Sequence, residues 1–111
     1  HAAQGDGEVN QTGLETSLKG RLRFFVRKDM TLDWPRAETS THHILMGFDP
    51  DLEAATEIAI RETVEFIMER TRLTSGEAYS VVSMAADLRI TELVDGNVGV
   101  HMMVAKELVG G

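Results

Sequence analysis

Cysteine is absent from this chain of 111 residues, and proline occurs only twice. Without thiols, the chain can form no disulfide, no thiolate nucleophile and no thiolate zinc site. No apolar run reaches the roughly 18–20 residues that a membrane-spanning helix requires, and no signal peptide is visible. These absences favour a cytoplasmic protein and give no reason to expect a membrane partner.

Positive charge is also scarce. There are 11 Lys and Arg residues against 18 Asp and Glu residues, so the net charge is −7. Nucleic acids and anionic membranes bind surfaces with clustered positive charge, so neither is expected as a partner of this chain. An apolar fraction of 42% and a charged fraction of 26% are typical of one soluble globular domain. The chain begins at His1 rather than Met, as expected of a fragment or a processed piece.

Residues 14–27 alternate between apolar side chains and polar or charged side chains, with Phe25 as the one apolar exception among the odd positions. The apolar set falls on even positions and comprises Leu14, Leu18, Leu22, Phe24 and Val26. The basic set falls on odd positions and comprises Lys19, Arg21, Arg23 and Arg27. A period of two predicts a long strand with one solvated face. The basic residues are interpreted as that solvated face, and the alternative is an anion-binding surface.

The rest of the chain predicts a mixture of helices and strands. A short strand over 41–46 precedes a helix with Asp49 as its N-cap and Pro50 at its first position, extending to about Arg70. A capping-box pattern at Thr74 and Glu77 begins a second helix. Two strands close the chain, joined by a hairpin turn at 95–97. The predicted fold is α+β, with a mostly antiparallel β-sheet (sandwich or barrel-like) and a packed pair of helices.

Glu92 conflicts with the pattern of its predicted strand. It falls in phase with Leu88, Ile90 and Val94, so its side chain should point toward the apolar side. A buried carboxylate without a partner is costly. We therefore expect Glu92 at an edge or interface, or in a functional or structural pairing.

The densest collection of polar chemistry lies at the start of the chain. His1, Gln4, Asp6 and Glu8 supply an imidazole, an amide and two carboxylates, and glycines at 5 and 7 allow tight turns. Imidazole and carboxylate groups suit a divalent ion such as zinc, provided that one position stays open for water. A Gly-Asp-Gly sequence is also compatible with an ordinary turn.

Other candidate sites are weaker. Adjacent strand residues point to opposite faces, so at most one of His42 and His43 can readily join a given site. His101 is expected to face solvent or an interface, and the six methionines are interpreted as core residues. The chain has no G-x-S-x-G elbow, no P-loop spacing and no dinucleotide fingerprint.

The chain also resembles a known family. Residues 1–8, HAAQGDGE, are similar to the internal motif of acetamidase/formamidase-type enzymes, in which a Gly-Asp pair commonly leads into His-Ala-x-Gln-Gly-Asp-Gly-Glu. Residues 47–55 (GFDPDLEAA) resemble the family's entry into its long helix, and residues 83–95 (SMAADLRITELVD) and 99–101 resemble its closing segment. The resemblance covers nearly the whole chain in the same order.

This resemblance implies hydrolysis of a short aliphatic amide, such as formamide or acetamide, to a carboxylate and ammonia. The expected mechanism is attack by a metal-activated water, with a divalent metal, zinc in the first place, as cofactor. His1 and Asp6 would be ligands of the metal. Glu8 would receive the proton of the water, and Gln4 would orient the reactants.

Family members are considerably longer than this chain, so residues 1–111 would be the C-terminal portion of such an enzyme. The resemblance then implies a small amide substrate together with a complementary N-terminal chain or a homo-oligomer. Two positions depart from the family pattern: Glu92 stands where Gln is more frequent, and the Pro often found before Lys106 is missing. The competing hypotheses are a non-catalytic assembly or interaction domain that keeps the family fold, and a remnant of a longer parent polypeptide.

Overall fold

A computed structural model describes residues 2–111 of the chain. Its elements are β1 (Arg36–Glu38), β2 (His42–Asp49), α1 (Leu52–Arg70), α2 (Ser75–Ala85), β3 (Asp87–Glu92), β4 (Val98–Ala105) and a closing 3₁₀ turn (Lys106–Val109). The strands form one antiparallel sheet in the order β1-β2-β4-β3. The predicted α+β fold, with an antiparallel sheet and a packed helical pair, is confirmed. Among residues 2–111, no helix is both long enough and apolar enough to cross a membrane.

Both helices begin at side chains that cap them, although one of the two predicted caps is wrong. The N-cap of α1 is Asp51, which accepts a hydrogen bond from Ala54 N, and not Asp49. The helix begins at Leu52, so the residue that caps it is Asp51, whereas Asp49 is the last residue of β2, where it pairs with Val98. The capping box predicted for α2 is confirmed, since Thr74 and Glu77 exchange the expected bonds.

The core lies where α1 packs against β2 and β4, and α2 packs against α1. Its buried apolar members are Leu45, Ala55, Ala59, Phe66, Ile67, Ala78, Val82, Val100, Met102, Val104 and Val109. The contact between α1 and β2 is close because Gly47 has no side chain. A Cβ built on Gly47 would lie 2.5 Å from Ala55 O and 2.7 Å from Ala59 N.

The long strand predicted over residues 14–27 is wrong for this chain. Leu14 forms an isolated bridge with Ala3, and no strand occurs in the described residues before Arg36. A strand needs neighbours to satisfy its backbone groups, and residues 2–111 supply no neighbour here. The strand β1, which sequence patterns did not predict, instead pairs with β2.

Replacing Gly47 by alanine should destabilise the fold by about 3 kcal/mol, because the new methyl group meets helix backbone, which cannot move aside like a side chain. The free energy of unfolding, measured by denaturant titration, checks this. Gly20→Ala is the matched control, since nothing lies within 4 Å of a Cβ at Gly20. Equal midpoints for Gly47→Ala and the parent chain would contradict the close helix-strand contact.

Candidate active site

The N-terminal motif is attached to the end of the β3–β4 hairpin. Gly7 O accepts a hydrogen bond from Leu93 N at 3.1 Å. Gly7 has φ 91°, which glycine tolerates best, and Glu8 follows with φ 40°. This sharp turn directs the motif past the last residues of β3.

Three of the four predicted site residues line one cavity. Gln4, Asp6 and Glu8 border a space of about 130 Å³, together with neighbouring residues of the same segment. The fourth, His1, lies outside the described residues. The space is an open surface depression, since most of its lining residues are exposed.

Glu8 also belongs to a cluster of three carboxylates. One oxygen each from Glu8, Glu92 and Asp95 lies within 4.8 Å of the other two. Glu8 and Glu92 are half-buried, whereas Asp95 is exposed and accepts a hydrogen bond from Gln11 Nε2 at 2.9 Å. In the part of the chain that the structure describes, this is the group that could hold a metal ion.

A β-bulge explains why Glu92 joins this cluster. Ile90 pairs with Val100, but Glu92 pairs with Gly99, so the register shifts by one residue between them. A bulge changes which face the following side chain occupies. The phase predicted for Glu92 is therefore broken at the bulge, and Glu92 lies at the end of β3, an edge strand of the sheet, as one of the two expectations for it required. The sequence predicts Asp95 only as a residue of the hairpin turn. Asp95 does lie in that turn, with a φ of 73°.

The donor atoms of this cluster determine which cation would suit it. Three carboxylate oxygens match magnesium, calcium or manganese better than zinc, which favours nitrogen and sulfur ligands. Asp6 is not part of the cluster. Zinc bound by His1 and Asp6 therefore stays a prediction.

His101 lies close to the motif and is held in place. Its Nδ1 is 2.6 Å from Thr91 Oγ1, and the side chain is half-buried. Burial lowers the pKa of the His101 imidazole, Arg89 lowers it further, and Asp6 opposes both. The sequence predicts His101 at the solvent or at an interface and does not predict its contact with Thr91. That contact depends on the alignment of β3 with β4.

The two histidines of β2, His42 and His43, lie at the end of that strand remote from the carboxylate cluster. His43 is buried and lies against the ring of Phe66 at an interplanar angle of 57°, with ring centroids 4.9 Å apart. It pairs with Val104, five positions along the β2–β4 ladder from the Phe48–Gly99 pair beside the cluster. Burial lowers the pKa of His43, and Arg70 adds to the effect. His43 therefore has a structural environment.

Solved structures of acetamidases have a fold similar to that of this chain. An acetamidase from Yersinia enterocolitica is 30% identical with a TM-score of 0.70, and the match covers 74% of this chain and 25% of that enzyme. An acetamidase from Bacillus halodurans is 28% identical with a TM-score of 0.65, and the match covers 69% of this chain and 27% of that enzyme. The resemblance to the acetamidase/formamidase family is confirmed.

The matched region is only part of each of these longer proteins. A predicted acetamidase/formamidase from Thermoanaerobacter tengcongensis has a TM-score of 0.68 at 21% identity over 75% of this chain, and this match supports the fold alone. The chain spans between 25% and 29% of the length of these three proteins. No protein-family model matches the chain, and no curated protein matches it.

The electrostatic effect of Asp6 on the His101 imidazole can be tested by titration. Asp6→Asn should lower the pKa of His101 further, because it removes a negative charge that favours the imidazolium. Arg89→Gln should raise that pKa, because it removes a neighbouring positive charge. A titration of the His101 ring followed by NMR checks both directions. An Asp6→Asn titration identical to that of the parent chain would show that the motif does not lie beside β4.

Proposed function

We propose that this chain takes part in the hydrolysis of a short aliphatic amide, of the formamide or acetamide type, to a carboxylate and ammonia. The observation that carries the proposal is the cavity shared by Gln4, Asp6 and Glu8, which lies beside a carboxylate cluster in a fold similar to that of acetamidases.

The roles proposed for these residues follow from their chemistry. The amide side chain of Gln4 can both donate and accept, so it can hold a substrate amide by its oxygen and nitrogen. Glu8 lines the cavity and can take the proton from an attacking water, then pass it to the amide nitrogen, which leaves as ammonia when the C–N bond breaks.

A divalent cation, zinc in the first place, is proposed to be held by Asp6 and His1. When bound, such an ion would polarise the substrate carbonyl and lower the pKa of a water. The cluster of Glu8, Glu92 and Asp95 offers an alternative set of ligands, suited to an oxygen-preferring ion. In that arrangement Glu8 would hold the ion instead of taking the proton of the water. Metal analysis of the purified protein would distinguish the two sets by the element found.

We also propose that residues outside this chain complete the active site. The chain spans about a quarter of the length of the acetamidases that it matches. We infer that residues 1–111 correspond to the C-terminal portion of such an enzyme and act together with a complementary N-terminal chain.

The proposed activity predicts ammonia release from formamide or acetamide when the chain is co-expressed with its complementary N-terminal sequence. Glu8→Gln should lower kcat/KM by about 10²–10⁴-fold, because the proton acceptor is lost. A chelator should abolish the activity, and the added metal should restore it. Ammonia is measured by a coupled assay.

Glu107→Gln serves as the control, since Glu107 is an exposed carboxylate in the closing turn. If Glu8→Gln kept full activity, the role of Glu8 as base would be wrong. If ammonia release survived exhaustive metal removal, the metal part of the proposal would be wrong.

One observation favours a second candidate, a non-catalytic assembly domain. Large apolar side chains are exposed along residues 14–26, including Phe24 at 86% and Leu22 at 80%. Apolar surface of this extent is typical of a protein interface. Stable association without ammonia release, even beside a complementary chain, would select this candidate.

A further inference from the structure

The segment over residues 14–27 has an apolar face that the described residues leave exposed. Leu18, Leu22, Phe24 and Val26 share its even positions, and each is between 73% and 86% exposed. In an extended conformation, side chains at even positions lie on one face and side chains at odd positions lie on the other. A partner that covers this segment therefore meets the apolar face without meeting the basic one, and burial of the apolar face stabilises the complex.

The start of the segment is already paired with the N-terminal motif. Leu14 N donates to Ala3 O at 2.8 Å. Leu14 O accepts from Ala3 N at 3.3 Å and from Ala2 N at 2.6 Å. The bridge between Ala3 and Leu14 is antiparallel. These residues are thus the first rung of a two-stranded arrangement whose arms extend away from the loop over residues 4–13.

The direction of this bridge specifies what can pair with the rest of the segment. In an antiparallel pair, one arm advances along the chain as the other recedes. Residues beyond Leu14 therefore lie opposite residues that precede Ala2, and from Ser17 onward they lie opposite residues that precede position 1. Continuation of the pairing in this direction requires residues that lie outside 1–111.

The bridge also determines which backbone groups of the segment face the second arm. The N–H and the C=O of Leu14 both bond to the arm that contains Ala2 and Ala3. Along a strand, these groups alternate between the two edges from one residue to the next. The amides of even-numbered residues, beginning with Thr16, therefore face the second arm, and the amide of Ser17 faces the opposite edge.

The relatives indicate where the second arm comes from. The match to the acetamidase from Yersinia enterocolitica covers 74% of this chain and 25% of that enzyme. We propose that the last residues of the complementary N-terminal portion, those that lead into His1, form an antiparallel strand along residues 16–27. About ten residues suffice, one for each residue of the segment from Ser17 onward. This inference rests on the proposed function, because the N-terminal portion is invoked there.

Pairing of this kind accounts for both faces of the segment. The apolar side chains at even positions are buried against the N-terminal portion, of which the new strand is a part. Lys19, Arg21 and Arg23 stay on the opposite, solvated face. Antiparallel sheets commonly have one packed face and one solvated face, and the alternation of residues 14–27 suits such a sheet.

The test measures binding rather than ammonia release. The N-terminal portion, ending at the residue before His1, is expressed separately and titrated against this chain. Removal of about ten residues from its end should weaken binding by about tenfold or more, because the backbone bonds along the segment are lost. Amide hydrogen exchange of the complex, followed by NMR, should be slowed by about 100-fold or more at Thr16, Leu18 and Leu22. The shortened portion should not give this protection.

Thr16→Pro and Ser17→Pro form a matched pair of variants. Each replaces an exposed hydroxyl side chain and removes one backbone donor. Thr16→Pro should weaken binding by about tenfold, because its N–H faces the new strand. Ser17→Pro should weaken binding less than about threefold, because its N–H faces the other edge. Neither position lies in a helix or strand of the described fold, so circular dichroism of the chain alone should not change.

The proposal is overturned if the N-terminal portion does not bind, or if its shortened form binds as tightly as the whole. Equal binding of the two proline variants would contradict the register. Protection of the same amides by self-association of this chain would show that a second copy is the occupant. Binding and protection as expected, but without ammonia release, would refute the proposed hydrolysis and leave this pairing standing.

Discussion

The close contact of helix α1 with strand β2 sets the position of everything else in the fold. Gly47 leaves no side chain between the two elements, and Ala55 and Ala59 are fully buried opposite it. This contact brings the apolar face of α1 onto the centre of the sheet, where β2 pairs with β4 over eight residues. Burial of this interface contributes the hydrophobic stabilisation of a small domain. The β3–β4 hairpin extends from the same ladder, and the N-terminal motif is bound to that hairpin through Gly7.

Charge is distributed unevenly over this framework. Carboxylates gather at the far end of the hairpin, where Glu8, Glu92 and Asp95 meet, and again along the groove beside α1. Cations gather around Phe66, whose ring lies beneath Arg36 and Arg70 at 5.3 and 4.5 Å. Like charges held together cost free energy unless a counter-charge offsets them. The two acidic regions therefore concentrate negative charge at two separate places on the surface.

Local sequence signals were reliable where the chain satisfies its own hydrogen bonds. The capping box at Thr74 and Glu77 and the turn at Asp95 and Gly96 both formed as expected, because each depends on residues a few positions apart. The strand expected over residues 14–27 did not form, although its alternation is the clearest in the chain. Alternation shows that a segment suits a sheet, but a strand also requires a neighbour, and residues 2–111 provide none there.

The sequence by itself determined the α+β class, the helices, the closing hairpin and the grouping of Gln4, Asp6 and Glu8, because these follow from short-range periodicity, caps and a contiguous motif. Only the tertiary structure decided that Glu92 and Asp95 lie beside Glu8 and that Thr91 holds His101. Those contacts depend on a register shift of one residue at the bulge after Ile90 and on the hydrogen bond between Leu93 and Gly7. A shift of one residue reverses the face of a strand side chain, and no local pattern in the sequence specifies where it occurs.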